Sequence, residues 1–209
     1  MLGNNNGMFI GICGMIGAGK STLAEKLGKI MNMTVFYEEV TNNDYLTDFY
    51  NDMKGNSFLL QIHLLNNRLK QLEKIKSCEN GRIQDRTIYE DLIFAEILHD
   101  NKNMDDKSYA TYQALFSTLR KDMLRPNLII FIDVSAETSL ERIKERNREI
   151  EKGITIEYLK GLYDKYQKFI IEVSQISPVI KIDWNEIGNE EETAKYIQFK
   201  YNQIHSIHT

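Results

Sequence analysis

Eight residues near the start of the chain, Gly14-Met15-Ile16-Gly17-Ala18-Gly19-Lys20-Ser21, fit the pattern G-x-x-x-x-G-K-[ST]. These residue types at this spacing can hold phosphate. Gly14, Gly17 and Gly19 permit a turn, including at positive φ, that points backbone N–H groups at phosphate oxygens. Lys20 would set a cation on the β- and γ-phosphates, and Ser21 would offer a hydroxyl to Mg²⁺. Thr22 continues the first turn of a helix whose N-terminus adds partial positive charge. Phosphoryl transfer further needs a base or positioner for the attacking oxygen and cations for developing charge.

Candidates for those parts lie farther along. Glu38 or Glu39 could accept the proton of a substrate hydroxyl. Asp85-Arg86 joins a carboxylate able to hold a Mg²⁺-bound water to a cation able to reach phosphate; an ion pair is the competing reading. Arg142 and Arg146 are four apart and share a helix face, and Arg148 extends the cluster. Three guanidiniums this close repel unless an anion compensates them, and a mobile lid closing over transferring phosphate would use them. Pairing within the helix to Glu141, Glu145 and Glu149 is the competing reading. Gln61 and Arg68 are seven apart, two helical turns, on one stripe of a mostly apolar helix. Unpaired burial of either is costly. A planar base edge would satisfy both, as would internal hydrogen bonds to Asp91 or Asp85. The histidines (His63, His99, His205, His208) lack metal-site spacing and read as surface residues.

The elements that must position these residues alternate. Phe9 to Cys13, Met33 to Tyr37, Arg82 to Asp85, Leu128 to Val134 and Val179 to Asp183 read as strands. Helical patterns cover Ser21 to Gly28, Phe58 to Ile75 (with Leu59, Ile62, Leu65, Leu69 and Leu72 as its apolar stripe), Ile88 to Leu98, Tyr109 to Met123, Ser139 to Glu151, Ile156 to Ser174 and Glu190 to Ile204. Continuous apolar strands separated by helices predict a doubly wound, parallel, five-stranded α/β sheet flanked by helices. Ligands of such sheets sit beyond the C-terminal strand ends. Gly14, Glu38, Glu39, Asp85, Arg86 and Asp133 all fall there.

Composition narrows the partners. A net charge of −4 argues against binding a nucleic-acid polymer. No apolar run is long enough to cross a membrane. Cys13 and Cys78 make neither a disulfide framework nor a zinc site, which fits a cytoplasmic location. Residues 1–7 are polar and Asn-rich, too short and uncharged for a targeting peptide, and read as a flexible tail ahead of one domain over residues 8–209.

Taken together and in order, the loop Gly14 to Ser21, Glu38-Glu39-Val40, Leu60-Gln61 with Arg68, Asp85-Arg86-Thr87 and Arg142-x-x-x-Arg146-x-Arg148 resemble the deoxynucleoside kinase family, the deoxycytidine, deoxyguanosine and deoxyadenosine kinases. The resemblance runs from the loop to about Tyr158. It implies a P-loop kinase fold with an arginine-rich lid at about residues 142–153, and transfer of phosphate from Mg-ATP to a deoxynucleoside 5′-hydroxyl in nucleotide salvage. It implies Glu38 as general base, with Glu39 standing where the family usually has proline. Gln61 would pair with the base, Phe94 would stack near it, and Tyr50 with Glu151 would hold the 3′-hydroxyl. Asp85 would serve the metal, and Arg86 the 5′-oxygen and phosphate. Arg142, Arg146 and Arg148 would form the lid. Arg68 and Asp91 match the base-recognising pair, which favours deoxyadenosine, deoxyguanosine or deoxycytidine over thymidine. The family also implies a homodimer formed through helices. Two other readings stand beside this one: a thymidylate-type monophosphate kinase, and a non-catalytic nucleotide-binding module. A GTPase lacks support, with no Asn-Lys-x-Asp motif, and a protein kinase lacks its catalytic-loop signature.

Overall fold

The first strand, β1 (Phe9–Gly14), is buried at every residue, as an unbroken apolar run requires. Such a strand has neighbours on both sides and helices over both faces. The computed structural model describes residues 7–38, 44–186 and 189–206. Its strands β2 (Thr34–Phe36), β3 (Arg82–Asp85), β4 (Leu128–Asp133) and β5 (Val179–Asp183) join β1 in one parallel sheet of order β2-β3-β1-β4-β5. The chain leaves β1 for one edge, returns through β3, then crosses to the other edge. Its direction of travel reverses around β1, and the crevice beyond such a reversal takes the ligand. The register sets Ile12 beside Asp85 and Gly14 beside Ile132, so the glycine loop emerges next to Asp85.

Side chains of β1 and β4 alternate between two cores, as the two-residue period demands. Phe9, Cys13, Ile129 and Phe131 face α3 (Met53–Lys76), α4 (Asp91–Asp100), α5 (Asp106–Arg120) and α7 (Ile156–Val173). Ile10, Ile12, Ile130 and Ile132 face α1 (Lys20–Met31) and α8 (Glu190–Ser206). Each fully buried isoleucine or leucine contributes about 1.5–3 kcal/mol.

Helix α3 carries much of the site and is fastened at both ends. Asp52 caps its start by accepting the Gly55 N–H at 3.0 Å. Arg82 donates to Ile75 O at 2.9 Å, in the last turn of the helix, and to Cys78 O at 2.8 Å just beyond it. Its buried stripe runs Ser57, Gln61, Leu65, Arg68, Leu72, Ile75, with Gln61 and Arg68 set among apolar residues. Leu59 is not on that stripe. It lies about 200° around the axis from Gln61 and is 51% exposed.

Three local features depart from the sequence reading. Helix α2 (Asp44–Asn51) is present where no element was assigned. The expected helix from Ile88 starts as a 3₁₀ turn, Ile88–Glu90, capped by Thr87. The charged helix expected over Ser139 to Glu151 is α6 (Ala136–Arg146), ended by Asn147 at φ 47°, followed by a 3₁₀ turn at Glu149–Glu151. Asn tolerates the left-handed conformation that closes a helix. Glu39, Val40, His208 and residues 1–6 lie outside the described residues, as does the side chain of His205. No described helix is long and apolar enough to cross a membrane.

Candidate active site

The loop after β1 is a cradle because of its three glycines. Gly14, Gly17 and Gly19 have φ of 146°, 78° and 93°. A Cβ on Gly14 would stand 2.7 Å from Ile132 O, and one on Gly17 would stand 2.8 Å from Ser139 O. Only glycine satisfies both the dihedral and the space. Lys20 opens α1 with its ammonium folded over the loop, donating to Gly14 O at 3.0 Å and Met15 O at 2.7 Å. Burial, and next the nearby Arg86 guanidinium, lower its pKa to about 8.

Ser21 and Asp85 meet across the strand ends: Ser21 Oγ donates to Asp85 Oδ2 at 2.5 Å. Asp85 Oδ1 is buried without a partner. A hydroxyl, one carboxylate and an unspent buried oxygen suit Mg²⁺, which takes one or two carboxylates plus phosphates and keeps several waters. Among the described residues no group of three or more His, Cys, Asp or Glu could hold a metal by itself. Any Mg²⁺ here would therefore rely on the nucleotide's own phosphates.

Beside the cradle runs a chain of alternating charges. Asp91 accepts from Arg68 Nη1 at 2.5 Å, and Arg68 Nη2 donates to Glu38 Oε1 at 2.5 Å. Arg86 Nε donates to Glu38 Oε2 at 2.7 Å. Burial alone would raise the Glu38 carboxyl, but Arg86 and Arg68 outweigh it and bring it down to about 2. Burial pushes Asp91 the other way, up to about 6, despite Arg68. Glu38 uses one lone pair on each oxygen for the arginines, and a carboxylate has about four acceptor sites. Two therefore remain for a substrate hydroxyl. The competing structural reading is half right: Arg68 does bond to Asp91. Gln61 does not follow it, since its buried Oε1 has no partner.

These groups line one cavity of about 510 Å³, within the usual size for a small-molecule site. On its walls are Ile16, Gly17, Gly19, Lys20, Ser21 and Thr22 from the cradle, and Glu38, Tyr50, Gln61, Arg68, Asp85, Arg86 and Phe94 from the acceptor side. Arg146, Arg148 and Glu151 close it. Gly14, Met15, Ala18 and Asp91 sit behind this lining; Met15, Ala18 and Asp91 are buried to 1% or less. The Arg86 guanidinium lies 4.8 Å from the Phe94 ring centre. Tyr50 is pushed up to about 12 by burial and by Glu151.

The three lid arginines are not one cluster. Arg146 clasps Glu151 with both prongs, at 2.7 and 2.6 Å, and Arg148 comes within 3.7 Å of the same carboxylate. Arg142 turns away, donating to Trp184 O at 2.6 Å and Ala18 O at 3.4 Å. The helix stop at Asn147 separates Arg148 from the face that Arg142 and Arg146 were expected to share. Asp133, at the end of β4, accepts from Gln167 and pairs with Lys181, and does not line the cavity.

Sequence reasoning passed over several participants. Leu46, Phe49, Leu64, Leu98, Ile154 and Tyr158 supply apolar wall. Trp184 packs against Gly19. Glu90, wholly buried, touches both the loop and Arg86. The stretch Ile88 to Leu98 also carries Asp91 and Glu96, so nothing local singles Glu90 out.

A parallel sheet reversing at β1, a glycine cradle with its lysine, and a carboxylate held between two arginines define a P-loop phosphotransferase. Comparison with known proteins narrows the class. The family model described as deoxynucleoside kinase matches residues 10–205. A deoxyadenosine kinase of Dictyostelium discoideum is 48% identical over 198 residues, spanning 95% of this chain and 81% of that protein. A deoxyguanosine kinase of the same organism is 35% identical over 191 residues, 89% of this chain and 67% of that one. Among solved structures, deoxyadenosine kinase from M. mycoides with products dCMP and a flexible dCDP bound superposes with a TM-score of 0.85 at 33% identity, covering 94% of this chain and 100% of that one. The chain belongs to the deoxynucleoside kinase family. It is a transferase that phosphorylates deoxynucleosides with ATP.

Proposed function

We propose that the cavity binds a purine deoxynucleoside or deoxycytidine with its 5′-hydroxyl at Glu38, and that phosphate passes to it in line from ATP held by the glycine loop. The observation that carries this is Glu38, gripped by Arg68 and Arg86 at the cavity wall beside the loop lysine. Glu38 Oε takes the 5′-hydroxyl proton as the oxygen attacks. Arg86 holds the 5′-oxygen and the transferring phosphate. Lys20 turns from the loop carbonyls to the β- and γ-phosphates, where its charge is worth more. Mg²⁺ held through Ser21 and Asp85 would neutralise phosphate charge.

On the acceptor side, Gln61 gives its unpartnered Oε1 and its amide to the base edge, and Phe94 stacks near the base. Asp91 fixes Arg68 in a plane that can read the base. Tyr50 and Glu151 take the 3′-hydroxyl, and Arg146 orients Glu151. Arg146 and Arg148 close over the phosphates, and Arg142, bonded to the Trp184 and Ala18 carbonyls, would have to release them to join; the lid is at about residues 142–153 of a single domain over residues 8–209. The names of the relatives support adenine or guanine as the base, and Asp91 with Arg68 supports either of these or cytosine over thymine. A cytoplasmic, homodimeric enzyme fits the half-exposed Leu59 on α3 and the lack of a membrane-crossing helix among the described residues.

Two substrate analogues test the position of transfer. Deoxyadenosine lacking its 3′-hydroxyl should still be phosphorylated, with a raised KM. Deoxyadenosine lacking its 5′-hydroxyl should compete but yield no product. Product from the second analogue would overturn the assignment.

A further inference from the structure

One carboxylate oxygen, Glu90 Oε2, touches both halves of the site. It accepts the N–H of Gly14, the first glycine of the phosphate loop, at 3.3 Å. It accepts the hydroxyl of Tyr166, and it lies 3.5 Å from Arg86 Nη1. Arg86 Nη1 also donates to the Tyr166 oxygen at 3.3 Å. Glu90 and Tyr166 are each 0% exposed, and the Tyr166 ring stacks on Phe131 of β4 at 5.9 Å. Close-packed surroundings of this kind fix a side chain in one rotamer.

Arg86 needs such a hold. Its backbone is left-handed, at φ 69°, a conformation that costs a non-glycine residue about 1–3 kcal/mol and persists only where its surroundings over-determine it. Its own N–H and that of Thr87 both donate to Ile12 O, which ties its backbone to β1. Its side chain has two carboxylate partners of different kinds. Glu38 is 22% exposed and faces the cavity. Glu90 stands behind, out of reach of substrate.

We propose that Glu90 is a positioning residue for phosphoryl transfer: by holding the Gly14 amide and the Arg86 guanidinium on one oxygen, it fixes the distance between the phosphate cradle and the acceptor-side cation. Tyr166 locks the carboxylate in place. When Glu38 turns its lone pairs to the substrate hydroxyl, Glu90 keeps Arg86 from following. The inference rests on the phosphotransfer assigned to this cavity.

A mutant cycle with Arg86 tests it, because residues acting through one another are non-additive. With ATP and deoxyadenosine, E90Q should lower kcat about ten- to a hundredfold, the scale of roughly ångström misplacement, with both KM values within about threefold of wild type. In an R86K background the same change should lower kcat less than about twofold, since the group it positions is already altered. A purely structural role would give equal factors in both backgrounds, and that result overturns the proposal, as does a wild-type kcat for E90Q. If E90Q does not fold, Y166F carries the test: it keeps the ring and removes only the hydroxyl. A several-fold lower kcat at unchanged KM supports the proposal, and an unchanged kcat overturns it. Wild type assayed alongside separates the two levels. No turnover by wild type defeats the phosphotransfer reading together with this one. Turnover by wild type and E90Q alike defeats only the role of Glu90.

Discussion

Arg86 Nε donates to Glu38 Oε2 at 2.7 Å, joining residues forty-eight apart in the chain at the mouth of the phosphate cradle. Arg68 completes the grip from the other oxygen. The carboxylate is thereby ionised and aimed, while half of its acceptor capacity stays open to substrate.

Replacing Glu38 by glutamine keeps the shape and removes the proton acceptor. E38Q should lower kcat by about 10²–10⁴, the usual worth of a general base, with a much smaller change in KM for the deoxynucleoside. Steady-state kinetics with ATP saturating measures this. A drop below about tenfold would remove Glu38 from that role and point to Glu39.

The pH profile should separate three groups. Glu38 at about 2 stays ionised throughout the working range and contributes no limb above about pH 4. Asp91, raised to about 6, takes up a proton as pH falls through that value. It then ceases to be an anion for Arg68, so kcat/KM for the deoxynucleoside should fall below pH 6. That limb should be missing from D91N; its survival there would assign it elsewhere.

Lys20 acts at the other end. Its pKa of about 8 means the ammonium is lost as pH rises through 8. Because kcat/KM reports the free enzyme, kcat/KM for ATP should fall above pH 8. Bound phosphates restore the charge, so kcat should stay level to higher pH. A kcat profile that falls in step with kcat/KM would contradict this assignment.

Gly17→Ala should damage the cradle by strain and contact together. The added Cβ would stand 2.8 Å from Ser139 O at a φ of 78°, costing about 1–3 kcal/mol. Thermal unfolding should show the loss of stability, and ATP binding by calorimetry should weaken at least tenfold. Alanine at exposed Gly153, where a Cβ meets nothing within 4 Å, is the control for strain and should leave the thermal unfolding unchanged.

What could be read in the sequence follows what each feature depends on. The cradle was legible because a backbone that must turn at positive φ leaves glycines at fixed spacing. Strands β1 and β4 were legible because each is buried on both faces and so almost continuously apolar; β3 is buried yet reads Arg-Ile-Gln-Asp, and β2 and β5 are partly exposed, so their signal was weaker. Arg68 was legible as an anomaly, a guanidinium on a leucine stripe, and its partner Asp91 was one of two candidates named. The separation of the lid arginines does not show in their spacing, because it depends on Asn147 closing the helix in the left-handed conformation, which Asn tolerates but does not require. Helix α2 has only Phe49 fully buried, too thin a stripe to announce itself. Glu90 was missed for a different reason. Its meaning lies in Gly14 and Tyr166, seventy-six residues away on either side, and no local pattern records that meeting.

The central claim is that the acceptor is a nucleoside rather than a nucleotide, and one assay bears on it most directly. The four deoxynucleosides and their four 5′-monophosphates are each incubated with Mg-ATP and the purified chain, and products are resolved by chromatography. The account predicts 5′-monophosphates from deoxyadenosine, deoxyguanosine or deoxycytidine, little from thymidine, and no diphosphates. Diphosphate formation from monophosphates, with the nucleosides left untouched, would contradict it.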